Sequence, residues 1–138
     1  MNARLTARLV SRFLEAGMQS TDLNLAQFGL MTHIAAAGDD TIGNLAGRAG
    51  LDQSTLSRNL RGLEQAGLVE IAIAEQDLRR RAVWLTEKGA LRLEAAIPKW
   101  QEAHKVLSGL IGSANIRKIA EIKEALADAY EAKSASGL

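Results

Sequence analysis

Apolar residues recur along the chain first at helical spacing, then briefly at alternate positions, then at helical spacing again. In residues 3 to 17, Leu5, Leu9, Phe13 and Ala16 share one side of a helix, with Val10 and Leu14 about a third of a turn away. So wide an apolar arc predicts a helix packed between two surfaces, one of which can belong to another subunit. Asn24 can cap a second helix, with Gln27 three residues on bonding back in the capping-box pattern. Phe28, Met31, Ile34 and Ala35 give that helix its inner side until Gly38-Asp39-Asp40 ends it. Thr41 can cap a short third helix with Ile42, Leu45, Ala46 and Ala49 inward, weakened by Gly43 and Gly47 and so dependent on packing. Gly50-Leu51-Asp52 makes a turn, and Asp52 caps a fourth helix ending at Gly67.

The period then changes to two. Val69, Ile71 and Ile73 share one face of a strand, and residues 81 to 85 read as its return partner across the polar stretch 75–80. Thr86 caps a long helix, with Glu87 in its first turn, running to about Leu110 through Pro98, which should kink it. After Gly112-Ser113, a last helix places Ile116, Ile119, Ala120, Leu126, Ala127 and Tyr130 on one stripe, with Lys123 as the exception. Two short helices joined by a turn and followed by a hairpin predict a mainly α (α+β) winged helix-turn-helix with a small β-hairpin wing, flanked by N- and C-terminal helices.

In that arrangement the fourth helix is the reading element. At 100° per residue, Leu56, Leu60 and Leu63 fall within an arc of about 60° and must face inward. The opposite side holds Ser54, Arg58 and Arg61, with Thr55 at one margin. Hydroxyls and a helix N-terminus bond phosphate oxygens, and Arg grips guanine bidentately in the major groove. For two arginines on an arbitrary helix, a solvated face is the ordinary explanation. Here the preceding helix, the turn and the hairpin favour a groove-reading surface. The hairpin tip carries Arg79, Arg80 and Arg81 in a row, placed to reach phosphates or a minor groove, and Asp77 can brace Arg79 by a bidentate pair.

Composition qualifies this picture. The 138 residues are 47% apolar and 24% charged, enough for one domain with its own core. There is no cysteine, which removes disulfides, thiolate zinc sites and thiol redox sensing. The 17 Lys+Arg and 16 Asp+Glu leave a net charge of +1, so total charge gives no argument for a nucleic-acid partner. The basic residues are placed rather than numerous. No unbroken apolar segment resembles a signal peptide or a membrane span, so a cytoplasmic protein without membrane contact is expected.

From Leu23 to Gly89 the chain resembles the MarR family of bacterial transcription regulators. The matching pieces are Leu25-Ala26-Gln27-Phe28, Leu45-Ala46, the run from Leu51 to Arg58, the run from Leu63 to Val69, Asp77-Leu78-Arg79, and Leu85-Thr86-Glu87-Lys88-Gly89. The resemblance implies a single MarR-like domain over residues 1–138. A DNA-binding lobe would span 24–87, and helices in 1–22 and 88–138 would intertwine with a second copy. It also implies a repressor that binds a pseudo-palindromic duplex operator and releases it to a small, often aromatic or anionic, effector. Gln53 and Ser57 join Ser54, Thr55, Arg58, Arg61, Arg79 and Arg80 as its DNA-facing set. Family wings often have Arg directly after the Asp, where this chain has Leu78.

Other chemistries have less support. His33 and His104 are the only histidines, and a lone His beside an apolar helix face is more often packing than a metal ligand. Trp84 and Trp100 read as core or pocket lining. No serine sits in a nucleophile elbow and no glycines form a phosphate loop, so neither an enzyme nor a cofactor is expected. A winged-helix module that binds protein is the remaining alternative. DNA binding would weaken steeply with salt, and protein docking would not.

Overall fold

The computed structural model describes residues 2–37, 42–73 and 81–137. The expected cap Thr41, the stop at 38–40 and the hairpin tip with Asp77, Arg79 and Arg80 lie outside the described residues. The elements are α1 (Ala3–Gly17), α2 (Leu25–Ala37), α3 (Ile42–Ala49), α4 (Gln53–Gln65), β1 (Val69–Ile73), β2 (Arg81–Leu85), α5 (Glu87–Ile111) and α6 (Ser113–Ala135).

Local capping sets most of these boundaries. The Asn24 side chain accepts from the Gln27 amide at 2.8 Å, and the Gln27 side chain accepts from the Asn24 amide at 3.0 Å. Both oxygens of Glu15, ten residues upstream on α1, accept from the Leu25 amide at 3.1 and 3.0 Å. Nothing local in the sequence announces that third bond. Helices α3 and α4 each end in a paired-bond turn. Leu51 N donates to Ala46 O at 3.0 Å and Leu68 N to Leu63 O at 2.9 Å, closing over Gly50 (φ 67°) and Gly67 (φ 75°). A side chain at either glycine would be strained by that positive φ.

Helices α2, α3 and α4 enclose a core with the hairpin and the first half of α5. Leu56, Leu60 and Leu63 are at most 1% exposed, alongside Met31, Leu45, Leu68, Val69 and Val83. Each buried leucine contributes about 1.5–3 kcal/mol, enough to fix the face that α4 turns outward. The strands pair antiparallel, Val69 with Leu85, Glu70 with Trp84 and Ile71 with Val83. That register puts Val69 and Val83 inside and leaves Trp84, at 40% exposure, on the outer face, where its indole N–H donates to Glu70 Oε2 at 3.1 Å. Trp84 is therefore neither core nor pocket lining; strand alternation overrides its size. Trp100 is half-buried and stacked between Phe28 and His104, with ring centroids 5.9 and 4.8 Å away. That is packing, as expected for His104.

Helix α5 runs unbroken through Pro98. Its start is held against the end of α4. Thr86 N donates to Leu68 O at 3.0 Å, Thr86 Oγ1 donates to Gly67 O at 2.6 Å and accepts from Gly89 N at 3.0 Å, and Lys88 Nζ donates to Ala66 O at 3.0 Å. A Cβ at Gly89 would lie 2.0 Å from the Leu68 carbonyl oxygen, a backbone atom that cannot swing aside. Helix α1 lies on α5 at another close crossing, where a Cβ on Gly17 would meet Ala103 Cβ at 2.5 Å. Gly89→Ala should destabilise the fold by about 1–3 kcal/mol through overpacking. The check is a denaturant melt, in which a wild-type midpoint would rule out the close approach.

Candidate nucleic-acid interface

The site is built on α4 from its N-cap. Asp52 Oδ1 accepts from the Thr55 amide at 2.8 Å and from Ser54 Oγ at 2.7 Å. The backbone bond from Thr55, then the side-chain bonds from Ser54 and Thr55 and the nearby charge of Arg58 together hold the carboxyl at about 2, below its usual 3.8. Asp52 is thus a fixed negative charge at the positive end of the helix dipole.

The outward face follows from the leucines. Gln53, Ser54, Ser57, Arg58 and Arg61 are exposed, and Thr55 is half-buried at the margin. Ser54, Ser57, Arg58 and Arg61 lie within about 100° of one another around the axis. The fold therefore brings the expected strip together, with one refinement. The Ser54 proton is taken by Asp52, so Ser54 offers lone pairs outward, and the Thr55 amide is already bonded. A phosphate meeting this helix end faces a carboxylate that already holds the Thr55 amide. The exposed side-chain donors that remain are the two arginines, Gln53 and Ser57.

The hairpin runs beside this helix, with β1 against α4. Arg81 opens β2, its Cα paired with Ile73. Asp77, Arg79 and Arg80 fall in the stretch between the strands, outside the described residues.

Two helices crossing through a tight glycine turn, with the second exposing a polar and basic strip beside a two-stranded wing, define a winged helix-turn-helix protein. Residues 21–80 match the model of the MarR family. No curated protein matches the chain in sequence. Over nearly its whole length the chain is similar to the M. tuberculosis transcriptional regulator MosR, solved in complex with DNA. That match has 29% identity and a TM-score of 0.78, covering 94% of this chain and 92% of that one. The repressor CouR, bound to a 23-mer DNA duplex, shares 24% identity at a TM-score of 0.78, covering 91% and 89%. The Streptomyces coelicolor regulator PcaV, in complex with its natural ligand, shares 21% at a TM-score of 0.79, covering 93% and 90%. Over residues 21–80 this chain is similar to the MarR family.

Asp52 gives the interface a testable acid limb. Its folded pKa lies below its unfolded value, so its stabilisation is complete above about pH 4 and is lost as pH falls toward 2. Asp52→Asn keeps a capping oxygen but does not titrate. The stability gap between wild type and variant should narrow over that window in denaturant melts at stepped pH; a constant gap would contradict the ionised cap.

Proposed function

We propose that the chain is a sequence-specific DNA-binding transcription regulator that reads a pseudo-palindromic operator as a homodimer and represses until a small effector binds. One observation carries the reading. Helix α4 is locked by three buried leucines on one side and presents Gln53, Ser57, Arg58 and Arg61 on the other. The match of residues 21–80 to the MarR family, the DNA complexes of MosR and CouR and the liganded form of PcaV support it. It is a binding protein, not an enzyme.

Residues 24–87 form the DNA-reading lobe and residues 1–22 and 88–138 the helices of dimerisation. On that division α4 enters the major groove, Arg58 and Arg61 meet base edges, and Ser54, Thr55 and Ser57 lie against the backbone. Arg79 and Arg80 reach phosphates or the adjacent minor groove, with Asp77 bracing Arg79. Leu5 and Leu9 of α1 are 48% and 53% exposed, and Val106 and Leu110 of α5 are 47% and 67% exposed. That apolar surface is the open side of the wide α1 arc, and a second copy covers it. Among the described residues no helix is long and apolar enough to cross a membrane. The chain acts in the cytoplasm, where its operator is.

Selection of bound sequences from a random duplex pool tests specificity and symmetry together, with half-sites expected roughly 10 bp apart. On the selected operator, Arg58→Ala and Arg61→Ala should each cost about 1–3 kcal/mol in gel shifts and relax preference at one position. Wild-type affinity should fall steeply with salt through counterion release. Unchanged affinity in both variants, or a flat salt response, would overturn the assignment and favour protein docking.

A further inference from the structure

Two charge patterns in the terminal helices take no part in the DNA-reading face. Helix α1 carries Arg4, Arg8 and Arg12 at four-residue spacing, all exposed, within about 80° of its circumference and along about 12 Å of its length. The acid of that helix, Glu15, has both oxygens on the Leu25 amide rather than on an arginine. Leu5 and Leu9, 48% and 53% exposed, run along the edge of the stripe. Helix α6 carries the opposite charge in the same form. Glu121, Glu124, Asp128 and Glu131 are all exposed and span about 80° over about 15 Å. Arg117 is the base in that sector, one turn before the first acid.

Neither stripe is satisfied within the chain. Among the described residues none of the three arginines has an ion-pair partner. Of the four acids only Glu124 has one, the adjacent Lys123, in a pair 66% exposed on both sides that solvent screens. Like charges in a row on one helix face repel one another until an opposite row meets them. The other helices offer the arginines no such row. Helices α2 and α3 hold no acid, α4 holds Glu64 alone, and the acids of α5 are interspersed with Arg92, Lys99 and Lys105. We infer that the arginine stripe of α1 lies against the acidic stripe of α6 in a second copy, so that charge selects which chains assemble. The pairing of two copies belongs to the proposed function, on which this inference rests; the matched stripes add the choice of partner. Exposed ion pairs add little affinity, but a chain with the wrong sign on either helix meets a row of like charges, and its rejection gives the selectivity. A two-fold dimer makes the contact twice, once through the α1 of each copy.

Two reversed chains test this by sedimentation equilibrium. One carries Arg4→Glu, Arg8→Glu and Arg12→Glu, and the other carries Glu124→Lys, Asp128→Lys and Glu131→Lys. Each alone should self-associate about tenfold or more weakly than wild type, because both of its contacts now join like charges. Mixed in equal amounts, they should associate about as tightly as wild type, since each then offers the other an opposite stripe. Chains that had merely lost their fold could not recover in this way. Added salt should weaken the wild-type pair and strengthen each reversed chain, because it screens attraction in one and repulsion in the other. A chain carrying all of these substitutions should self-associate and exclude wild type. Unchanged self-association in both reversed chains overturns the inference, as does a weakening that mixing does not repair. Lost operator affinity with self-association intact also overturns it, because the arginines would then serve DNA phosphates. A wild-type dimer whose reversed chains associate normally overturns only this inference. A wild-type chain that stays monomeric while binding operator overturns the homodimer of the proposed function and this inference with it.

Discussion

The backbone of Leu68 is the constraint on which the rest of the geometry depends. Its amide closes the end of α4 on Leu63, its carbonyl accepts from Thr86 at the start of α5, and its side chain is 1% exposed in the core. A buried carbonyl without a partner would be costly, so the Thr86 amide must be there, and Gly89 must be a glycine to let α5 approach. One residue thereby ties the reading helix, the first strand and the long helix together. The outward angle of α4 is set by its leucines, but its position relative to α5 is set here.

The other end of α2–α4 is tied to α1 by a different device. Asn24 and Gln27 satisfy each other's amides, but the Leu25 amide lies beyond that exchange, and Glu15 of α1 takes it with both oxygens. A carboxylate also complements the positive end of the α2 dipole. Helix α1 is in turn seated on α5 at Gly17, where only a hydrogen fits against Ala103. Helix α1 thus meets α2 through the Glu15 carboxylate on the Leu25 amide, and α5 meets the end of α4 through Leu68–Thr86 and Lys88–Ala66.

What the sequence made legible was local chemistry. The caps Asn24, Asp52 and Thr86, the inward leucines of α4 and the alternation of β1 depend on residues within a turn or two of each other, and each is found where the spacing puts it. The partners Glu15–Leu25, Lys88–Ala66 and Trp84–Glu70 are separated by ten to twenty-two residues and carry no periodic signal. For Trp84 bulk suggests burial, while alternation along β2, with Val83 inward, turns it to the outer face beside Glu70. Lys123 and His33 were visible only as misfits. Their meeting with Arg48 requires α6 to lie over α3, which no local pattern encodes. The α4 strip was legible by angle, but the commitment of Ser54 to Asp52 was not.

That commitment explains how a chain of net charge +1 can be a DNA reader. Generic phosphate affinity comes from uncompensated positive charge and open amides, and here both are restrained. Acids nearly equal bases, and the α4 N-terminus is capped by a carboxylate that stays ionised down to about pH 2. A negative charge at that point costs affinity equally for every sequence. Among the groups left facing outward, the proposed reading gives Arg58 and Arg61 bonds that depend on which base edge they meet. Weakening the term common to all sequences while keeping the terms that differ between them raises the ratio of specific to non-specific binding, which governs a regulator among many competing sites. Near-neutrality is then a condition for selectivity on this interface and not an argument against it.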